Sequence, residues 1–169
     1  KIFFEKNRGK GAAVRAGIEQ AIGEYVFIQD ADLEVIPQEL LKILKKANIE
    51  GAEVVYGSRF LDKNNNFTML LSFGNKVITW VTNVLFFSNL TDVETPAKFF
   101  RRDILTNINI SAKRFEFEVE VTAELLKKKY RIKEIAVSYK PRSREEGKKI
   151  RWIDALIAII TLLKCRIMR

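Results

Sequence analysis

The run Tyr25-Val26-Phe27-Ile28-Gln29-Asp30-Ala31-Asp32-Leu33-Glu34 decides how this chain is read. Four apolar or aromatic residues lead almost directly into three carboxylates, the pattern of a buried strand whose C-terminal end opens on a site. In an extended segment alternate side chains project to one side. Asp30, Asp32 and Glu34 are therefore placed to converge on a hard divalent cation such as Mg²⁺ or Mn²⁺. Such an ion neutralises a diphosphate leaving group. The competing reading makes them turn acids that cap the helix after Pro37, and an Asp-x-Asp pair by itself does not separate the two.

Upstream of this strand, Ile2 to Phe4 is expected to be a short strand and Gly9-Lys10-Gly11 a turn. Val14, Gly17, Ile18, Ala21 and Ile22 then share one helical face, and Gly23 is the expected stop. Downstream, Leu40, Leu41, Ile43, Leu44 and Ala47 mark a second helix, and Glu53 to Tyr56 a third strand ending at Gly57-Ser58-Arg59. This alternation predicts an α/β layered sheet with at least partly parallel strands. The second half predicts a helix over about 70–87, a strand near 97–100 and a helix over 117–128. A strand over 132–139 follows, with Ile135, Val137 and Tyr139 on one side, then a basic loop over 140–149 and a last apolar helix over 152–166. Residues 77–90 and 155–163 are apolar but fall short of the roughly 18–20 residues of a spanning helix, and suit interfacial or buried helices.

The chain has 169 residues, 47% hydrophobic, and nothing in its length requires a second core. The expected organisation is one domain over 1–150 and a C-terminal apolar helix over 151–169, placed to lead into further membrane segments. Thirty Lys and Arg against twenty-one Asp and Glu give a formal charge of +9. An anionic partner follows, whether nucleic acid, nucleotide or acidic lipid. Between Lys127 and Arg151 eleven basic residues stand against three acidic ones, so the anion surface is local. The absence of His removes the commonest general base and zinc ligand. The single Cys165 excludes an internal disulfide and fits a reducing compartment. The N-terminus, Lys1-Ile2-Phe3-Phe4-Glu5, has neither an initiator Met nor the apolar core of a signal peptide, and reads as a cut into a longer chain.

An ordered set of motifs adds to this reading. Asn7-Arg8-Gly9-Lys10-Gly11-Ala12-Ala13, Gly17, the acidic run with Pro37, and Val55-Tyr56-Gly57-Ser58-Arg59-Phe60 are followed by Gly74-Asn75 and by Thr91-Asp92-Val93-Glu94-Thr95 with Lys98. Phe115-Glu116-Phe117-Glu118-Val119-Glu120, Tyr139-Lys140-Pro141-Arg142 and Glu146-Gly147-Lys148-Lys149-Ile150 complete it. The set resembles the polyprenyl-phosphate glycosyltransferases of family 2, the group that includes dolichyl-phosphate mannose synthases, over essentially the whole chain. The resemblance implies a GT-A-like (Rossmann-like) sheet with flanking and interfacial helices, incomplete at its N-terminus. It further implies metal-dependent, inverting transfer of a glucose- or mannose-type hexose from a nucleotide-diphosphate sugar to a polyprenyl phosphate at the cytoplasmic face of a membrane.

By the same resemblance Asp30, Asp32 and Glu34 hold the metal, while Lys10, Asp30, Asp32, Arg142 and Lys149 contact the nucleotide sugar. Arg59 and Ser72 meet the acceptor phosphate, and Asp32, Arg59 and Asp92 form the catalytic set. The sequence departs from the pattern in places. Glu34 replaces a Gln of some mannose synthases, Pro96 replaces a Gly, and Phe67 and Leu71 stand where some members carry an Arg and a Ser, leaving Ser72 one step out of register. Simpler readings stand beside the implied ones. Gly9-Lys10-Gly11 lacks P-loop spacing and is also an ordinary glycine turn. Arg59 is also a surface partner for Asp62, and Glu118 and Glu120 also suit a helix N-terminus.

The lack of His fits this acceptor, because a phosphate monoester is already anionic near neutral pH and attacks without a general base. A sugar nucleotidyltransferase and a non-catalytic membrane-associated scaffold are the alternatives. A nucleic-acid-binding domain fits the charge but not the acidic cluster or the apolar helices.

Overall fold

The structure is a computed structural model and describes residues 1–65, 69–142 and 152–168. Its order is α1 (Lys10–Gln20), β1 (Tyr25–Ile28), α2 (Glu39–Glu50), β2 (Val54–Ser58) and α3 (Met69–Phe86), then β3 (Lys98–Arg101), α4 (Arg102–Thr106), α5 (Phe117–Lys127), β4 (Ile132–Ala136) and α6 (Trp152–Ile167). The four strands form one sheet in the order β1-β3-β2-β4. β3 lies antiparallel between β1 and β2, and β4 runs parallel to β2. Three of the four strands therefore point the same way, which is the mixed form of the layered sheet expected from the sequence.

Both faces of the sheet are covered, as the fully buried β2 requires. Val54 and Tyr56 point into one cluster with Phe100, Ile104, Phe117, Val121 and Leu125. Val55 points the other way, joining Phe99, Ile43, Ala47 and Val137. Burying each such aliphatic side chain stabilises the fold by about 1.5–3 kcal/mol. The second helix ends where Gly51 adopts a left-handed conformation (φ 57°), and the Ala52 N–H donates back to the Ala47 carbonyl at 2.9 Å.

Ile135, Val137 and Tyr139 do share one side, against the second cluster. Other expectations are corrected. Residues 2–4 form no strand, and Ile2 and Phe3 are exposed. The first helix stops at Gln20, before Gly23, because Ala21 is extended; Ile22 is then exposed instead of lying on the helical face. The short α4 was not expected, and β4 ends at Ala136.

A third cluster joins α3, α5 and α6 through Ile78, Val93, Val119, Ala123, Ala158 and Leu162. The outward faces of α3 and α6 remain apolar, with Phe73, Trp80, Val84 and Phe87 exposed on or just after one, and Leu156, Ile160, Leu163 and Ile167 on the other. Among the described residues no helix is long and apolar enough to cross a membrane.

Gly57 marks the tightest point of the sheet. A Cβ there would lie 2.6 Å from Val137 Cγ1, 3.0 Å from Ala97 Cβ and 3.1 Å from Ile43 Cδ1. Gly57→Ala is therefore expected to destabilise the fold by about 1–3 kcal/mol, read as a lower urea midpoint with an unchanged slope.

Candidate active site

The strand directions bring the chemistry-bearing residues to one edge. β1 and β2 end there, at Ile28 and Ser58, followed by Asp30 and Arg59. β4 runs parallel to β2 and leads to Tyr139 and Arg142. Antiparallel β3 begins at the same edge, with Lys98 opposite both Ile28 and Tyr56. The carboxyl ends of parallel strands are where open α/β sheets bind ligands.

After β1 the chain does not stay extended. Leu33 takes a φ of 60°, unusual for a residue with a Cβ, and the Glu34 N–H donates to Asp32 Oδ1 at 3.1 Å. This turn breaks the strand alternation after Asp30; Asp30 is held by Lys10, while Asp32 and Glu34 share Arg142. Lys10 Nζ lies 2.7 Å from Asp30 Oδ1 and 2.8 Å from Oδ2. Arg142 Nη2 lies 2.8 Å from Asp32 Oδ2. Glu34 accepts from the Arg142 backbone N–H at 3.0 Å and from the Tyr139 hydroxyl at 3.2 Å. Among the described residues no three acidic, His or Cys side chains are gathered to hold a metal ion by themselves. The hard oxygens of Asp30 and Asp32, partly open to solvent, fit the other way Mg²⁺ and Mn²⁺ bind: through one or two carboxylates together with substrate phosphates.

Glu118 joins this group from the first turn of α5. It bonds Lys10 Nζ at 2.6 Å on one side and fully buried Lys98 on the other. Lys98 Nζ also donates to the carbonyls of Val93 (3.0 Å) and Thr95 (2.6 Å), tying down the loop that follows Asp92. Burial alone would raise Glu118, but Lys10 and Lys98 hold it below the usual carboxylate range. Burial acts to lower Lys10 as well, yet Glu118 and Asp30 raise it above an ordinary lysine. Burial lifts Asp30, with Lys10 opposing. Glu120, two positions along the helix and so on a different face, accepts instead from Ser111 and Ala112 and fixes the loop before α5.

That loop explains the glycines before α1. The Gly11 and Ala12 N–H groups donate to the carbonyls of Arg114 (3.2 Å) and Lys113 (3.1 Å), and a Cβ on Gly9 would collide with the Lys113 carbonyl. The turn is shaped for a backbone crossing, and these two amides are engaged by protein.

Arg59 is not paired with Asp62. Its guanidinium, 6% exposed, grips Asp92, 0% exposed, from Nε (2.7 Å) and Nη2 (2.8 Å), and its own backbone N–H adds a third bond (3.0 Å). The Arg59 guanidinium also lies 5.2 Å from the centre of the Tyr139 ring. Glu134 was missed by sequence reasoning: its carboxylate accepts the backbone N–H groups of Thr91 and Asp92 at 2.9–3.1 Å and so aims Asp92. Its place on β4, out of phase with Ile135 and with Val137 just beyond the strand, was the available signal. Ser72 is half-buried on α3 and, among the described residues, makes no hydrogen bond with this group. Lys148 and Lys149 lie outside the described residues.

A family model, that of glycosyl transferase family 2, matches residues 1–108, more than half of the chain. The chain belongs to glycosyl transferase family 2. Among curated relatives it is 28% identical over 147 residues to the low-salt glycan biosynthesis hexosyltransferase Agl6 of Haloferax volcanii, covering 85% of this chain and 36% of that protein. An uncharacterized protein of Methanocaldococcus jannaschii is 28% identical over 132 residues, 75% of this chain and 54% of that one. The chain thus spans about a third to a half of the length of these relatives. Its GT-A fold is shared with glucosyl-3-phosphoglycerate synthase from Mycobacterium tuberculosis in complex with UDP, at TM-score 0.69 and 15% identity over 94% of this chain and 55% of that one. The same synthase with Mn²⁺, UDP-glucose and phosphoglyceric acid gives TM-score 0.65, also at 15% identity, over 94% of this chain and 55% of that one.

Two expected outcomes follow from the buried charges. Asp92→Ala strands the Arg59 guanidinium and should cost about 3–5 kcal/mol in urea unfolding, whereas the double variant Arg59→Met/Asp92→Leu, which strands no charge, should lose less. Glu94 carries a carboxyl Oε1 enclosed without a hydrogen-bond partner, and burial, then Glu118, pushes it from 4.5 up to about 7. The folded protein therefore holds this proton more tightly than the unfolded chain, and the stability it contributes, full below pH 4.5, is lost as pH rises through about 7. Glu94→Gln should match the parent near pH 4.5 and exceed it by roughly 1–3 kcal/mol at pH 8.

Proposed function

We propose that the protein transfers a glucose- or mannose-type hexose from a nucleotide-diphosphate sugar to a polyprenyl phosphate, with inversion at the anomeric carbon. The observation that carries this reading is the meeting of Asp30, Asp32, Lys10 and Arg142 at the end of β1 in a member of glycosyl transferase family 2. One curated relative is named a hexosyltransferase, and a fold neighbour was crystallised with Mn²⁺ and UDP-glucose.

Asp30 and Asp32 are the residues that would hold a divalent cation, which when bound supplies charge neutralisation to the departing diphosphate. Arg142, on the segment anchored by Glu34, brings a second cation to the same place. Arg59 is fixed by Asp92 through Nε and Nη2; Nη1 lies outside that pair and is the donor assigned to the acceptor phosphate. With its oxygen already anionic, the acceptor needs no general base, consistent with a chain that has no His. The apolar outward faces of α3 and α6 support a lipid acceptor met at a membrane surface on its cytoplasmic side, with Arg166 and Lys164 at the end of α6 available to anionic headgroups.

The phosphoglyceric acid found with the fold neighbour favours one second reading, a small soluble phosphorylated acceptor. A screen of UDP- and GDP-hexoses with Mn²⁺ against polyprenyl phosphate and phosphoglycerate separates the two, with label expected in the lipid fraction. Asp32→Ala should lower that transfer by about a hundredfold or more. Undiminished transfer by Asp32→Ala with metal present would end this assignment.

A further inference from the structure

The four carboxylate oxygens of Asp30 and Asp32 already have partners. Lys10 Nζ straddles both oxygens of Asp30 at 2.7 and 2.8 Å. On Asp32, Oδ2 takes Arg142 Nη2 at 2.8 Å and Oδ1 takes the Glu34 N–H at 3.1 Å. Each of the two cations also has a second carboxylate farther from the cluster: Glu118 for Lys10, at 2.6 Å, and Glu34 for Arg142, through the backbone N–H at 3.0 Å and Nε at 3.5 Å. A divalent cation arriving alone must displace both side-chain cations or sit against them, and like charges a few ångströms apart in a half-buried site repel strongly. A diphosphate removes that conflict, because its oxygens give the ammonium and the guanidinium new partners while the metal takes over the aspartates.

We propose that Lys10 and Arg142 are exchange cations: each surrenders one aspartate to the metal and turns to the diphosphate while Glu118 and Glu34 keep it at the site. This rests on the donor-site reading given above and deepens it. The consequence is that the site selects a metal–diphosphate pair over either component. The flexible stem of Lys10 allows its Nζ to shift without moving α1, and Arg142 offers a planar fork suited to two phosphate oxygens. Glu118 then acts as a positioning residue: bound also to Lys98, it retains Lys10 after Asp30 lets go. Metal and nucleotide must raise each other's affinity by the same factor.

The test is binding, read without turnover. Mn²⁺ affinity is measured from the electron paramagnetic resonance signal of the free ion, with the protein alone and then with saturating UDP or GDP. The parent is expected to bind Mn²⁺ at least about tenfold more tightly once nucleotide is present. Arg142→Met and Lys10→Met should each bind Mn²⁺ alone about tenfold more tightly than the parent and lose most of the nucleotide-induced gain. Lys46→Met, which removes a cation on α2 paired with Glu50, should change neither value. The proposal is overturned if the variants bind bare Mn²⁺ no better than the parent while the gain persists, or if Lys46→Met tightens it equally. Should Lys10→Met fail to fold by circular dichroism, Arg142→Met decides alone. A parent that binds neither Mn²⁺ nor nucleotide in any combination overturns the donor-site reading itself, and the exchange with it. A parent that binds the pair but shows no tightening in the variants overturns the exchange only.

Discussion

Glu118 is the contact on which the arrangement depends. A carboxylate with almost no exposure stays charged because two ammonium groups, Lys10 and Lys98, flank it. Taking three charged groups out of water is costly, and only their mutual attraction and the further hydrogen bonds of Lys98 to Val93 and Thr95 offset it. What the network secures is relative position. Through Lys10 it reaches the acidic turn after β1; through Lys98 it reaches the loop that carries Asp92, and so Arg59. Glu134 holds that loop from the other side. Two regions far apart in sequence are thus braced against one buried helix start.

Much of the fold was legible because burial imposes a period. Val54, Val55 and Tyr56 read as a strand, and Ile43 and Ala47 as part of one face of a helix; the cover on both faces of that strand and the stop at Gly51 were added by the structure. The placement of β3 was not legible. Lys98-Phe99-Phe100-Arg101 reads as a strand, but nothing local says that it slots antiparallel between β1 and β2, since strand order is set by pairing across long separations. The five-residue α4 has too few turns to show a period.

The site divided along the same line. The residue types and the strand end were visible, but side-chain geometry was not. Leu33 is not a residue whose presence announces a left-handed turn, so the break in the extended alternation after Asp32 could not be read from the sequence. Asp62 is three residues from Arg59 and looked like its partner, whereas Asp92 is thirty-three away and wins because it is buried beside it. Gly9 and Gly11 read as a turn, and the sequence does not show that the turn lies against the backbone at 112–114. Glu118 and Glu120 look alike in sequence, and only helical geometry sends one to the site and the other to a loop.

The antiparallel β3 has one more effect. It separates β1 from β2 by two strand spacings, about 9–10 Å, a length fixed by main-chain hydrogen bonds. The strand is in this sense a ruler. The acidic turn stands at one end mark and Arg59 at the other, with Lys98 rooted between them, and exchanging side chains cannot redraw the scale. Substitutions at this edge can change which groups a substrate meets, while the gap it must bridge stays the same.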